Sequence, residues 1–183
     1  MSTLSFLREG LKNIRTTGTI TRSGTALCLA AIDRIDWSTT RVIVELGAGD
    51  GVITRHILRY LRPDARVIAC EVSPDLCDDL RAIGDERLIV AQDSAENIRP
   101  YLDRIGADYA DHIVSAIPFA ALPPKLGQRI VGSAHANLRP GGRYHQVHYS
   151  LKTMDYYRRA FGAVEARRVF LNLPPAWVLY CRK

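Results

Sequence analysis

The amino-acid sequence predicts an α/β fold of the doubly wound kind, and three observations carry that prediction. The β-branched run Arg41-Val-Ile-Val-Glu-Leu46 ends in glycines at alternate positions, Gly47, Gly49 and Gly51. A second run, Arg66-Val-Ile-Ala-Cys70, ends at an acid, Glu71, about twenty residues beyond those glycines. Segments of strand and helix character then alternate to the end of the chain.

Val42, Ile43 and Val44 suit a strand buried on both faces. The glycines after them permit positive φ and close approach of backbone to a ligand. A helix is expected over 52–61 and a second strand over 66–70, with Glu71 at its carboxyl edge. There a carboxylate can accept from both hydroxyls of a ribose, so the ligand is expected to contain a nucleoside. Arg87-Leu-Ile-Val-Ala-Gln92 reads as a third strand ending at Asp93, and Asp111-His-Ile-Val-Ser115 as a fourth.

A helix follows over Pro123 to Leu138, and the stop signal Arg139-Pro-Gly-Gly142 leads into a fifth strand from Gly142 to Tyr149. Residues 153–161 suit a helix. Val164 to Leu171 and Ala176 to Cys181 are β-rich runs joined through Asn172-Leu-Pro-Pro175, a joint too short for a parallel crossover, so they are expected to pair antiparallel. No internal repeat or low-complexity segment interrupts the pattern.

The 183 residues and 47% hydrophobic content fit one compact domain over 25–183, preceded by a front segment over 1–24. Within that segment Leu4, Leu7, Leu11 and Ile14 fall on one face of a helix, beside Arg8, Lys12 and Arg15. Such a helix can lie in a membrane interface, or pack as a lid over the sheet edge or a cofactor. Cys28, Cys70, Cys77 and Cys181 have no paired spacing, which points to neither zinc nor a redox pair and fits a reducing compartment. No metal is expected. No apolar stretch has membrane-span length and the amino terminus lacks a signal-peptide core. The net charge of +6 favours an anionic partner, either bilayer or nucleic acid. Only Arg182 and Lys183 follow the last strand, so substrate-specific parts are expected at the front or in loops.

The glycine spacing fails the dinucleotide fingerprint, because Gly51 comes one residue early and Val52 stands where the third glycine belongs. The pattern Glu45-Leu-Gly-Ala-Gly-Asp-Gly51, then Glu71, then Asp93, resembles the class I methyltransferases that use S-adenosylmethionine. The resemblance implies a Rossmann-like, doubly wound seven-stranded sheet, mostly parallel with one antiparallel strand near the carboxyl terminus. It also implies that Gly47 and Gly49 pass under the methionine part of the cofactor, Glu71 binds the ribose and Asp93 accepts from the adenine amino group. Glu45, Gly51, Val72, Ser94, Ser115 and Thr19 complete the implied cofactor set.

Within that class the chain is most similar to bacterial phospholipid N-methyltransferases of the soluble kind. The similarity rests on the basic amphipathic start, Thr17-Gly-Thr-Ile-Thr-Arg-Ser23, Ser115-Ala-Ile-Pro-Phe119, Leu138-Arg-Pro-Gly-Gly142, His148-Tyr-Ser150 and Asn172-Leu-Pro-Pro-Ala176. It departs in having Ala116 where glycine is common and Thr21 where proline is expected. The resemblance implies methylation of phosphatidylethanolamine at the inner face of the cell membrane, by a cytoplasmic, peripherally attached protein with no obligate protein partner. Pro118 and Phe119, with the front helix, would meet substrate or membrane. The amine must present a neutral lone pair, and Tyr149, His148 and Ser115 are the candidates at the acceptor pocket, Tyr149 first. As strand neighbours, His148 and Tyr149 face opposite ways. Phe119, Tyr144, Tyr156 and Tyr157 can offer π faces to a methylated ammonium, or be ordinary core and surface aromatics.

Two other readings stand beside this one. RNA adenine N6-methylation, as in the rRNA dimethylases, would want Asn or Asp two residues before the proline, where this chain has Ala116. The third is a cofactor-binding module without catalysis.

Overall fold

The computed structural model describes residues 24–183, so Thr19 and the stripe from Leu4 to Ile14, with Arg8, Lys12 and Arg15, lie outside the described residues. The elements run in the order α1 (Thr25–Ile32), β1 (Val42–Leu46), α2 (Val52–Tyr60), β2 (Arg66–Cys70), α3 (Pro74–Arg81), β3 (Leu88–Ala91), α4 (Arg99–Arg104) and β4 (Ala110–Ser115). A 3₁₀ turn at Phe119–Ala121 precedes α5 (Pro124–Asn137), β5 (Leu138–His148), α6 (Met154–Phe161), β6 (Val164–Val169) and β7 (Ala176–Arg182).

The strands form one seven-stranded sheet in the order β3-β2-β1-β4-β5-β7-β6. β1 to β5 are joined by parallel pairings, and β7 is antiparallel to both β5 and β6. β6 therefore runs in the same direction as β1 to β5, and β7 is the one reversed strand, as expected. The strand order reverses between β1 and β4, and such a switch point opens a crevice beyond the carboxyl ends of the strands.

Alternation along each strand sorts the core into two layers. Val44, Leu46, Ile68, Ile113 and Tyr144 pack under Leu102 of α4, Leu126 and Ile130 of α5 and Tyr157 of α6. Ile43, Val67, Val114, Val147 and Val178 pack against Leu27 and Ile32 of α1 and Ile57 of α2. Each fully buried side chain of this size contributes on the order of 1.5–3 kcal/mol. No helix among the described residues is long and apolar enough to cross a membrane.

Besides β6, which ends at Val169 short of Leu171, and α3 and α4, which the sequence does not single out, two features depart from the sequence expectation. β5 starts at Leu138 rather than Gly142, because residues 139–142 bulge out between the pairs Ala110↔Leu138 and His112↔Arg143. Gly141, at φ +75°, turns that bulge, and its N–H donates to the Lys183 carbonyl at 2.8 Å. The second departure is α1, for which Thr-Ala-Leu-Cys-Leu-Ala-Ala-Ile offers no helical periodicity, being apolar on nearly every side.

α1 is held by polar groups reaching its last turn, where carbonyls lack intrahelical donors. The Tyr180 hydroxyl donates to the Ala30 carbonyl at 2.7 Å, and His145 Nδ1 lies 2.8 Å from the Ala31 carbonyl. That contact requires the proton on Nδ1, leaving Nε2 as the unprotonated ring nitrogen. Replacing Tyr180 by Phe is expected to strand the buried Ala30 carbonyl, costing about 1–3 kcal/mol and several degrees of Tm. Differential scanning calorimetry of that variant checks it, and an unchanged Tm would remove the cap from the account of α1.

Candidate functional site

The turn from β1 into α2 is shaped by its glycines and by one carboxylate. Gly47 and Ala48 donate to the Cys70 carbonyl at 2.9 and 3.1 Å, carrying the β1–β2 ladder past the end of the sheet. At Gly47, with φ +71°, a Cβ would sit 2.7 Å from Ile117 Cγ1, so the turn presses directly on the segment that follows β4. Gly51 starts α2 in the left-handed region at φ 79°. Across the turn, Glu71 Oε2 accepts from the Gly49 N–H at 2.9 Å, while Oε1 accepts from Val72 and Ser73 at 2.8 and 2.9 Å. The sequence predicts that Glu71 accepts from two ribose hydroxyls. With three amides already bound, a carboxylate has about one acceptor position left, so a second hydroxyl requires the Gly49 N–H to move aside.

Glu45 is buried in β1, where Oε2 accepts from the Thr54 hydroxyl at 2.6 Å and Oε1 has no partner among the described residues. Burial pushes its carboxyl up to about 8, a shift that the Thr54 hydrogen bond opposes and the nearby Glu71 reinforces. Thr54 was not singled out from sequence, although a threonine on the buried side of an amphipathic helix facing a buried acid is the available signal. Asp93, half-buried past β3, accepts from the Ser94 N–H at 2.6 Å and the Asn97 amide at 2.9 Å through Oδ1. Its Oδ2 has only the Tyr101 hydroxyl at 3.5 Å. Glu45, Glu71 and Asp93 thus line the carboxyl edge of β1, β2 and β3, with Val72 and Ser94 buried beside them.

Ser115 is fully buried at the end of β4, and its hydroxyl accepts weakly from the Ile117 N–H at 3.4 Å. Gln146, which the sequence reading missed, holds this segment: Nε2 donates to the Ile117 carbonyl at 3.0 Å, and Oε1 accepts from the Tyr144 hydroxyl at 2.6 Å. A polar residue alternating with apolar ones in a doubly covered strand was the signal. Pro118 is half-buried at the rim. Phe119 is 1% exposed, with ring centroids 5.8 Å from Tyr157 and 6.1 Å from His148, so it is a core residue and cannot reach membrane or substrate.

His148 and Tyr149 face opposite layers, as strand alternation requires. His148 is buried with Tyr157, its Nε2 lying 2.8 Å from the Tyr157 hydroxyl and 3.3 Å from Thr153 Oγ1. It is a packed residue enclosed by the neighbouring layer, so it does not line the expected acceptor pocket. Tyr144 and Tyr157 belong to that same core, which removes them as π faces for a substrate cation. Tyr149 packs beside Ala116 on the other side of the sheet, and its buried hydroxyl has no partner among the described residues.

A protein-family model described as "Methyltransferase domain" matches residues 43–142, from β1 to the start of the paired part of β5. The chain belongs to the methyltransferase family. Over 180 residues it is 31% identical to ornithine lipid N-methyltransferase of Singulisphaera acidiphila, covering 97% of this chain and 94% of that one. Among solved structures it is similar to a Burkholderia thailandensis 1,6-didemethyltoxoflavin N1-methyltransferase bound to S-adenosylhomocysteine. There the TM-score is 0.71 and the identity 18%, with 98% of this chain and 88% of that one covered. The 16S rRNA N2 G1207 methyltransferase of T. thermophilus, solved with AdoMet and guanosine, gives a TM-score of 0.65 at 24% identity. That match covers 88% of this chain, which spans 44% of the rRNA enzyme.

This methyltransferase is of class I and its cofactor is S-adenosylmethionine. The polar groups at the sheet edge fit that molecule. Glu45 Oε1 is a buried oxygen without a partner among the described residues, and an ammonium beside it would draw the carboxyl, held neutral by burial in the free protein, back to its charged form. Glu71 has an acceptor position for a ribose hydroxyl, and Asp93 Oδ2 is weakly engaged where an amino group can donate. When bound, the cofactor supplies an electrophilic methyl group. No group of three His, Cys, Asp or Glu among the described residues is placed to hold a metal.

The buried titratable groups give the fold a pH optimum. Burial lowers His112 and His148 from 6.5 to about 4, and His145 to about 3. The unfolded chain takes up protons below pH 6.5 before the folded chain does, so these residues reduce stability as pH falls from about 6.5 toward 4. Glu45 is raised from 4.5 to about 8, so its contribution is complete below 4.5 and is lost as pH rises toward 8. Each group changes stability by at most about 1.4 kcal/mol per pH unit. Three histidines outweigh one carboxyl between 4.5 and 6.5, and the carboxyl acts alone above. Urea unfolding as a function of pH is expected to show maximal stability near pH 6.5, with a steep acid limb and a shallow alkaline one. A flat profile between pH 5 and 6.5 would contradict neutral buried histidines.

Proposed function

We propose that this methyltransferase transfers methyl groups to the amine of a membrane lipid at a bilayer surface, with phosphatidylethanolamine as substrate. The observation that carries the reading is the full-length relationship to a protein named for N-methylation of ornithine lipid. Phosphatidylethanolamine and ornithine lipid both present an amine at the water–bilayer boundary. The absence of a side-chain acceptor at Ala116 counts against adenine, whose exocyclic amine needs a carbonyl partner to be held for attack.

S-adenosylmethionine, held by Glu45, Glu71 and Asp93, would supply an electrophilic methyl group to an amine nitrogen presented in line with it. The lipid ammonium must first lose a proton, which can pass to water at the open edge. The chain's task is to hold nitrogen and methyl at near-attack distance and keep the turn rigid. Tyr149 is the group we assign to the amine or its phosphate, because its unpartnered hydroxyl lies on the Ala116 side of the sheet. Glu71 is assigned to the ribose, Asp93 to the adenine and Glu45 to the methionine ammonium. The protein works from the cytoplasmic side, in keeping with four buried cysteines, none of them in a disulfide.

Two experiments test this. Purified protein with methyl-labelled cofactor is offered vesicles of phosphatidylethanolamine, vesicles of ornithine lipid, and ribosomal RNA. Label is expected in amino lipid and absent from RNA, and label in adenine with none in lipid would reverse the reading. Replacing Glu71 by Ala is expected to weaken cofactor binding by about 2–3 kcal/mol, since charge-assisted acceptance and the clasp on Gly49 are lost together. Calorimetric titration showing unchanged affinity would mean the ribose lies elsewhere.

A further inference from the structure

The connection between β6 and β7 projects three large apolar side chains into solvent: Phe170 is 69% exposed, Leu171 86% and Leu173 83%. Isolated apolar residues are ordinary on protein surfaces, but three within four positions form a patch that needs a partner. The loop that presents them is braced from within. Asn172, 6% exposed, accepts from the Gly24 N–H at 2.9 Å through Oδ1 and donates through Nδ2 to the Pro174 carbonyl at 2.7 Å. The polar residue between the leucines therefore faces inward with both its functions satisfied, while its neighbours face outward.

The position of the patch says what it meets. Because β6 runs parallel to β1 through β5, Val169 ends on the edge where Glu71, Ser115 and Tyr149 lie. Trp177, at the start of β7, pairs with His148 at the end of β5, so the tip adjoins the segment carrying exposed Leu151 and Lys152. Residues 149–154 and 166–177 hold Lys152, Arg167 and Arg168 and no acid. The Arg168 guanidinium lies 4.9 Å from the Phe170 ring centroid and 5.6 Å from that of Trp177. A cation at the base of an apolar tip, stacked on aromatic rings, is placed at the depth of lipid phosphates when the tip is among acyl chains.

We propose that the Phe170–Leu173 tip is a membrane-docking loop. Phe170, Leu171 and Leu173 enter the acyl region of an anionic bilayer, Arg168 and Lys152 meet headgroup phosphates, and the sheet's carboxyl edge is set against the surface. Bringing an acceptor amine to that edge rests on the lipid reading above; docking itself does not. Residues 1–23 join the described fold at Gly24, beside the tip, and their sequence is itself basic, with Arg8, Lys12 and Arg15. Two basic apolar segments complement an anionic bilayer and repel each other, and the +6 net charge opposes a second copy in the same way.

The full chain is tested for cosedimentation with vesicles of phosphatidylglycerol and phosphatidylcholine, which contain no amine to methylate. The variant F170S/L171S/L173S is expected to bind at least tenfold more weakly with unchanged Tm, oligomeric state and cofactor affinity. R168Q is expected to bind severalfold more weakly and with a shallower salt dependence. In a separate Leu171→Trp variant lacking neither neighbour, the new fluorophore is expected to be quenched by lipids brominated along the acyl chain. Undiminished sedimentation of the triple variant, or no quenching, overturns the proposal. A fall in its Tm or cofactor affinity assigns the tip to residues 1–23, and a change in oligomeric state assigns it to a second copy; either also overturns it. Failure of the lipid substrate reading would appear separately, as vesicle binding retained without label in any amino lipid.

Discussion

The Glu71 carboxylate is the constraint on which the site depends. Three glycines within five residues give the β1–α2 turn its path and also make it costly to order, because glycine loses the most backbone freedom on folding. Glu71 offsets that cost by accepting three amide protons, one from Gly49 across the turn and two from the residues that follow it. Hydrogen bonds to a charged acceptor contribute about 1.5–3 kcal/mol each, more than their neutral counterparts. From there the constraint spreads strand by strand. Gly47 packs on Ile117, the Ile117 carbonyl is held by Gln146, and Gln146 is fixed by the Tyr144 hydroxyl. The carboxyl edges of β2, β1, β4 and β5 therefore form one connected frame.

Strand alternation divides that frame into two kinds of polar group. On β5, Tyr144, Gln146 and His148 face α5 and α6, where each finds a partner inside the protein and none is free to meet a substrate. His145, Val147 and Tyr149 face the other layer. His145 is committed to the Ala31 carbonyl, and Tyr149, at the end of the strand, retains an unengaged hydroxyl. The difference between an engaged and an unengaged polar residue here is one position in register. A one-residue slip of β5 would exchange the two sets, and the β-bulge at residues 139–142 is the device that fixes which set faces which way.

Much of this was legible in the sequence because the governing signals are local. Glycine spacing, β-branched runs and acids at strand ends located β1 to β5 and placed Glu45, Glu71 and Asp93 on one edge, and the short Asn172 to Pro175 joint foretold the reversed strand. What was not legible depends on tertiary neighbours. α1 has no periodicity because it is enclosed, and its caps come from Tyr180 and His145, more than a hundred residues away. Phe119 looked like a rim residue by its place after Pro118, yet the 3₁₀ turn carries it back into the α5–α6 layer. His148 and Tyr149 were read as alternatives from parity alone, and only packing shows which layer is closed. The three bonds to Glu71 also needed coordinates, since an acid at a strand end can serve a ligand, the backbone, or both.

The same edge carries the polar groups of the glycine turn and, among the described residues, the most exposed apolar side chains, and that coincidence has a physical reason in the parallel sheet. Parallel strands send every loop that follows a strand to one end, so cofactor turn, acceptor segment and β6–β7 tip cannot be separated without changing topology. For a soluble acceptor this crowding would leave the tip's leucines in water beside the pocket, at a cost in solubility with no return. For an acceptor whose amine is confined to the headgroup layer, the crowding is an advantage. A tip seated among acyl chains fixes the distance between the sheet edge and the plane of amines, so the lipid need not be lifted out of the bilayer to be reached. Seating also excludes water from one side of the site, which strengthens the polar contacts that hold the reacting groups. Asn172 then has a second consequence. By binding the Gly24 amide it ties the start of the described fold to the base of the tip, so the chain that precedes Gly24 is joined to the same edge. If residues 1–23 and the tip both meet a bilayer, the second contact is made at the effective concentration set by a short tether.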